Sequence, residues 1–142
     1  MKPPRKRRPD EITRITEPIL TPEQRSWLDG GIELFNSGRP WHAHEEWEKL
    51  WLTMPDDKSG DAEIVLRGLI QLAAGRHLLK PGREDGARSN FRKAREKLRL
   101  APPLFLGIEI AALVEYLDRQ IEELDGTVRC AVTRDGTRMD TD

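Results

Sequence analysis

The stretch Trp41-His42-Ala43-His44-Glu45-Glu46-Trp47-Glu48-Lys49-Leu50-Trp51 holds three of the chain's four tryptophans and two of its three histidines. Read as a helix at about 100° per residue, positions i, i+4 and i+7 share one face, which brings His44, Glu48 and Trp51 into a single column. Trp41 and Trp47 flank that column. The result is an aromatic strip with an imidazole and a carboxylate set into it. Such groups are expensive to bury alone, roughly 1–3 kcal/mol for an unpartnered neutral group and more for a charge, so another element has to supply partners.

Upstream, Thr21-Pro22-Glu23-Gln24 reads as a helix start: Thr21 caps, Pro22 suits the first helical position and Gln24 can reach back to complete a capping box. Trp27, Leu28, Ile32, Leu34 and Phe35 recur at helical spacing, and Asn36-Ser37-Gly38 ends the run with a glycine able to adopt positive φ. The first helix is expected over about 22–37. Pro40 opens the second, the motif helix, which runs to about Thr53 before the turn-forming stretch from Met54 to Gly60.

From Asp61 to Lys80 apolar residues occupy most of a helical circumference, the mark of a buried helix. Gly68 and Gly75 share a face with Leu72 and Leu79. Each glycine costs about 1 kcal/mol relative to alanine in a helix, so the pair predicts a bulky neighbour, with the motif tryptophans as candidates. Gln71 lies beside that face, within reach of His44 or Glu48, and His77 stands nearly two turns further on.

Pro81-Gly82 stops this third helix. A fourth carries Ala87, Phe91, Ala94 and Leu98 inward and Arg88, Arg92, Lys93, Arg95, Lys97 and Arg99 outward, with no aromatic interleaved to stack on bases, so a solvated face is expected. After Ala101-Pro102-Pro103, a fifth helix with Ile110, Leu113, Val114, Leu117 and Ile121 on one face closes the bundle. The reading is all-α, one domain of about five helices over 21–124. It is flanked by a disordered basic tail over 1–20 and by a polar C-terminal tail or short hairpin over 125–142, where Val128, Cys130 and Val132 alternate before Asp135-Gly136.

The chain has 142 residues, enough for one domain with a real core. Its formal net charge of −1 gives no overall excess pointing to nucleic acid or a membrane surface. A single cysteine, Cys130, excludes an internal disulfide and any cysteine-based zinc framework, which fits a cytoplasmic protein. The N-terminal basic residues are interrupted by Pro3, Pro4 and Pro9 and lead into no apolar segment, and no stretch approaches the roughly 20 apolar residues of a membrane span.

His44, Glu48 and Trp51 form a His-x-x-x-Glu-x-x-Trp pattern. Phe35-Asn36-x-Gly38 precedes it, and Gly68-Leu69-Ile70-Gln71, His77 and Gly107-Ile108-Glu109 follow. Together they resemble the uncharacterised bacterial and archaeal family known as domain of unknown function 309, over roughly residues 31–117. The resemblance implies an all-helical fold and a site at the signature, with no established activity. Trp41 and His42 stand where the family more often has other aromatic or acidic residues.

Three roles fit the motif. A metal or acid–base site would use His44 and Glu48, with His77 or Gln71 completing a divalent-ion shell, although two ligands are few for zinc and the second histidine of His-Glu-x-x-His is replaced by Glu48. A structural network would have Glu48 accept from His44 and Gln71 while Trp51 donates to a backbone carbonyl. A binding site would line a groove with Trp41, Trp47, Trp51, Gln71 and His77 for a small molecule or a protein partner. Structural or binding roles are favoured over a hydrolase-like activity. Nucleic acid is disfavoured, and a homodimer, a substrate and a cofactor stay open.

Overall fold

Thr21 caps the first helix as its sequence context requires. Its hydroxyl accepts the Gln24 backbone N–H at 3.1 Å, and the Gln24 side chain accepts the Thr21 N–H at 2.9 Å. In the structure, a computed structural model describing residues 4–12, 14–55 and 61–133, with side chains through residue 126, this cap opens α1 (Pro22–Asn36). Gly38, at φ 82°, provides the left-handed turn into α2 (Pro40–Leu52). There follow α3 (Glu63–His77), α4 (Glu84–Leu98), a two-residue ladder of β1 (Leu104–Phe105) and β2 (Ile108–Glu109), and α5 (Ile110–Thr133). Among the described residues the fold is all-α with five α-helices, as the periodicity indicated. None of the described helices is long and apolar enough to cross a membrane.

Each helix packs chiefly on its neighbours in sequence: α1 on α2, α2 on α3, α3 on α4, and α4 on α5. Helix α3 is central, and Ile64, Val65, Leu66, Leu69, Leu72 and Ala73 are all buried. The two glycines of its tight face admit α4 rather than the motif tryptophans. A methyl group at Gly68 would meet Leu98, and one at Gly75 would meet Phe91. Periodicity identified the face but not the helix that covers it. The tryptophan that needs a glycine is Trp47, whose indole lies against Gly31 of α1 and donates to the Leu28 carbonyl at 3.2 Å.

The antiparallel β1–β2 ladder pairs Leu104 with Glu109 and Phe105 with Ile108. The sequence reads here as a rigid break at Ala101-Pro102-Pro103 with Gly107-Ile108-Glu109-Ile110 leading into the fifth helix, and two-residue strands carry too short an alternation to be told from such a lead-in. Leu106 and Gly107 both take positive φ, 54° and 81°, at the turn, and Glu17 accepts the Leu106 N–H at 2.7 Å.

At both ends the described residues carry structure that their composition did not announce. Helix α5 continues through Thr133, so the stretch read as a tail or hairpin from residue 125 is helical up to that point. Val128 and Val132 are spaced for a helix as well as for a strand, and α5, once nucleated, extends by one hydrogen bond per residue. The Asp135-Gly136 turn signal lies outside the described residues. At the other end, the composition of residues 1–20 pointed to a solvated tail, but Arg7 is only 4 % exposed and Ile12, Ile15 and Leu20 pack against the core. A cation enters because acidic residues receive it, as described below. The segment also forms a 3-10 turn at Pro9–Glu11, where Glu11 accepts from the Arg8 N–H and from Arg5.

The basic face of α4 is partly neutralised. Arg88 and Arg92 reach Asp125 at 3.1 and 2.9 Å and Arg95 reaches Asp118 at 3.2 Å, forming a seam with α5.

Candidate functional site

Helix α2 presents its column of polar residues to α3, and the two ends of that column do different things. At the C-terminal end, the Trp51 indole N–H donates to Glu63 Oε1 at 2.9 Å, with Trp51 9 % and Glu63 5 % exposed. The acceptor is a carboxylate from the first turn of α3 rather than a backbone carbonyl. Glu63 also accepts the Arg7 backbone N–H at 3.1 Å and the Arg67 guanidinium, one turn along α3. Arg67 in turn donates to the Arg7 carbonyl, and Arg7 Nε donates to Asp61 Oδ1 at 2.9 Å. Two cations and two carboxylates thus close a buried network, the arrangement under which buried charge is tolerated.

Beside this network lies a cleft of about 160 Å³ lined by Lys6, Glu48, Trp51, Arg67, Ile70 and Gln71. Glu48 is exposed on its rim. Gln71 Oε1 is buried and has no hydrogen-bond partner. An orphaned neutral acceptor of this kind costs roughly 1–3 kcal/mol.

The N-terminal end of the column is an aromatic stack. Trp41 lies flat on His44, ring centroids 4.5 Å apart and planes 7° apart, and also meets His77 at 5.0 Å and 41°. Trp41 is 44 % exposed, and His44 Nδ1 is buried without a partner. A third atom of this type, Arg88 Nε, is already 3.1 Å from the Asp125 carboxylate, though outside hydrogen-bond alignment. Burial, then the positive charges of Lys80 and Arg83 and the neighbouring His44, hold the His77 imidazole below its ordinary value.

The residues singled out from the sequence therefore fall into three places. Glu48, Trp51 and Gln71 share the α2–α3 cleft. His44, Trp41 and His77 share the stack one turn away, and no hydrogen bond joins His44 to Glu48. Trp47, 2 % exposed, faces neither. It lines a separate cavity of about 360 Å³ whose walls are mostly apolar, including Phe35, Leu69, Leu72 and Leu113, with Asn36 and Glu109 as its polar residues. Among the described residues, no group of three or more His, Cys, Asp or Glu side chains is placed to hold a metal ion.

Glu63, Arg67 and Lys6 were missed by sequence reasoning. A signal was present for the first two: they are an i, i+4 ion pair inside a helix otherwise apolar around its circumference, and charges in such a helix require partners. Nothing in the sequence announced Lys6, which reaches the cleft only because Arg7 anchors its segment.

Residues 28–90 match the model of the family described as Domain of unknown function (DUF309), so the chain resembles that family from α1 into α4, a span that includes both ends of the polar column. Nothing matches among curated proteins or among solved structures.

Proposed function

We propose that this chain is a small-molecule-binding helical domain rather than a catalyst, and that it receives its ligand in the α2–α3 cleft. The observation that carries the reading is Gln71 Oε1, a buried acceptor without a partner on the wall of a cleft that also holds an indole, an aliphatic side chain and charges of both signs. Polar groups converging in a partly apolar recess fix the orientation of a ligand, and a bound donor would relieve the desolvation of the Gln71 carbonyl. The acid–base or metal-assisted alternative has His44 and Glu48 act together. It is weaker because the two are not hydrogen-bonded and only Glu48 lines the cleft. A cytoplasmic location completes the proposal, supported by the single cysteine.

Thermal unfolding of the wild type and of Gln71→Leu against a panel of small metabolites tests this. A ligand that raises the wild-type melting point, as binding to the native state requires, should fail to raise that of Gln71→Leu. The variant alone should melt no lower than the wild type, because the orphaned acceptor is gone. If the leucine variant is destabilised and no compound shifts the wild type, Gln71 is a structural residue and the reading is wrong.

A further inference from the structure

We propose that the α2–α3 cleft takes a small aliphatic zwitterion of the free amino-acid type, its ammonium toward Glu48 and Gln71 and its carboxylate toward Lys6 and Arg67. This rests on the reading of the cleft as a ligand site and adds the chemistry of the occupant.

The argument is one of charge and of donor and acceptor supply. Three charged side chains line the cleft: Lys6, Arg67 and Glu48. Arg67 is neutralised by Glu63, its partner at i−4. Lys6 and Glu48 remain, equal and opposite, from different elements, and neither has an ion-pair or hydrogen-bond partner among the described residues. They line one recess without pairing with each other. A lone anion would meet the Glu48 carboxylate and a lone cation would meet Lys6, whereas a molecule carrying both charges can satisfy both.

The hydrogen-bonding groups sort the same way. Gln71 Oε1 and the Glu48 carboxylate are acceptors without partners among the described residues, suited to the N–H groups of an ammonium. Arg67 commits Nε and Nη2 to Glu63 and to the Arg7 carbonyl, which leaves the Nη1 donors without a partner among the described residues. Together with the Lys6 ammonium they are suited to a carboxylate. Ile70 and the Trp51 ring supply apolar wall for a short aliphatic side chain. At about 160 Å³ the cleft is smaller than the roughly 300–1,000 Å³ of pockets for drug-sized ligands, which limits the occupant to a few bonds in length.

The larger cavity beside Trp47 does not compete for this role. None of the buried partnerless atoms lies in it, and its walls are mostly apolar.

The test is calorimetric titration of the full chain with leucine, with leucinol, which keeps the ammonium and lacks the carboxylate, and with 4-methylpentanoate, which keeps the carboxylate and lacks the ammonium. Leucine should bind at least tenfold more tightly than either single-charge analogue. Glu48→Gln and Lys6→Met, both at exposed positions, should each weaken leucine about tenfold while leaving the melting point of the free protein within a degree or two. Equal affinity for leucine and one analogue overturns the zwitterion. So does unchanged leucine affinity in both variants, and so does no binding of leucine at all. A separate screen of uncharged and singly charged metabolites distinguishes the two levels. A hit lost in Gln71→Leu keeps the cleft as a ligand site with another occupant, and the absence of any such hit removes both.

Discussion

Trp51 of α2 donates its indole N–H to the Glu63 carboxylate of α3 at 2.9 Å, and the same carboxylate receives the backbone of Arg7 and the side chain of Arg67. One buried carboxylate therefore joins the motif helix, the central helix and the N-terminal segment. Trp51→Phe keeps an aromatic ring but removes the donor and part of the buried indole, and should lower stability by at least roughly 1.5–3 kcal/mol, the range for a hydrogen bond to a charged group. Glu63→Ala strips Arg67 of its carboxylate, leaving the Arg7 carbonyl as its acceptor, and should cost more, roughly 3–5 kcal/mol. Urea denaturation of the two variants checks the order. A Glu63→Ala loss no larger than that of Trp51→Phe would mean that the carboxylate is not the hub.

The N-terminal segment is held by Arg7 on Asp61, side chains 4 % and 8 % exposed and 2.9 Å apart. Arg7→Ala leaves the Asp61 carboxylate as the remaining charge, and since Arg7 comes from the chain's first residues rather than from a core helix, the loss should stay below that of breaking an ion pair between two core helices. A double-mutant cycle of Arg7→Ala with Asp61→Asn should give a coupling of about 0.5–3 kcal/mol. Additivity of the two substitutions would show that the contact contributes nothing to stability.

Gly31 lies under the Trp47 indole, which a methyl group would strike. Alanine is better than glycine in a helix by about 1 kcal/mol, but displacing a buried tryptophan that donates to Leu28 should outweigh the gain, for a net loss of roughly 1–3 kcal/mol. Gly31→Ala should also change near-ultraviolet dichroism from Trp47. An unchanged or raised melting point would show that the ring can move aside.

Two titrations give a pH dependence of known sign. Burial, reinforced by the nearby Arg67, lowers the Lys97 ammonium below its ordinary value, and the side chain is 5 % exposed. Between its folded value and the unfolded value near 10.4 the unfolded chain binds more protons, so stability rises with pH in that interval. Lys97→Met should be at least as stable as the wild type at pH 7 and should lose the alkaline rise. His77, also lowered, acts in the same direction in an acid window: its contribution is complete above about 6.5 and falls as pH drops toward the folded value. The His77 ring resonances should titrate below those of an exposed histidine. A His77 midpoint at or above the ordinary value would contradict the packing around Trp41.

The parts of this fold legible in the sequence are those decided within a turn or two of chain. Thr21 and Gln24 make their capping box with each other, Gly38 turns where a glycine ends a periodic run, and the five helices follow from spacing alone. The parts that were not legible depend on which face meets which. Gly68 and Gly75 announced a close approach, but Leu98 and Phe91 make it, since periodicity orients a helix about its own axis and not toward a particular neighbour. Of the site, Glu48, Trp51 and Gln71 were readable as residues that needed company. Their company, Glu63, Arg67 and the Lys6–Arg7 segment, was not, because the last of these comes from a stretch whose composition argues for solvent.

The dominance of contacts between successive helices bears on how this chain reaches its structure. Proteins whose packing is local in sequence close short loops first and fold in microseconds to milliseconds, and the α1 to α5 succession is of that kind. Two contacts of the N-terminal residues are exceptions: Arg7 reaches Asp61 across 54 positions and Glu17 receives the Leu106 N–H across 89. Closing so long a loop carries an entropic toll best met once α3 already exists to receive it, so the segment should dock last. Lys6 is therefore added to a finished bundle, and the time for which the cleft keeps its lysine wall is set by the dissociation of those first few residues.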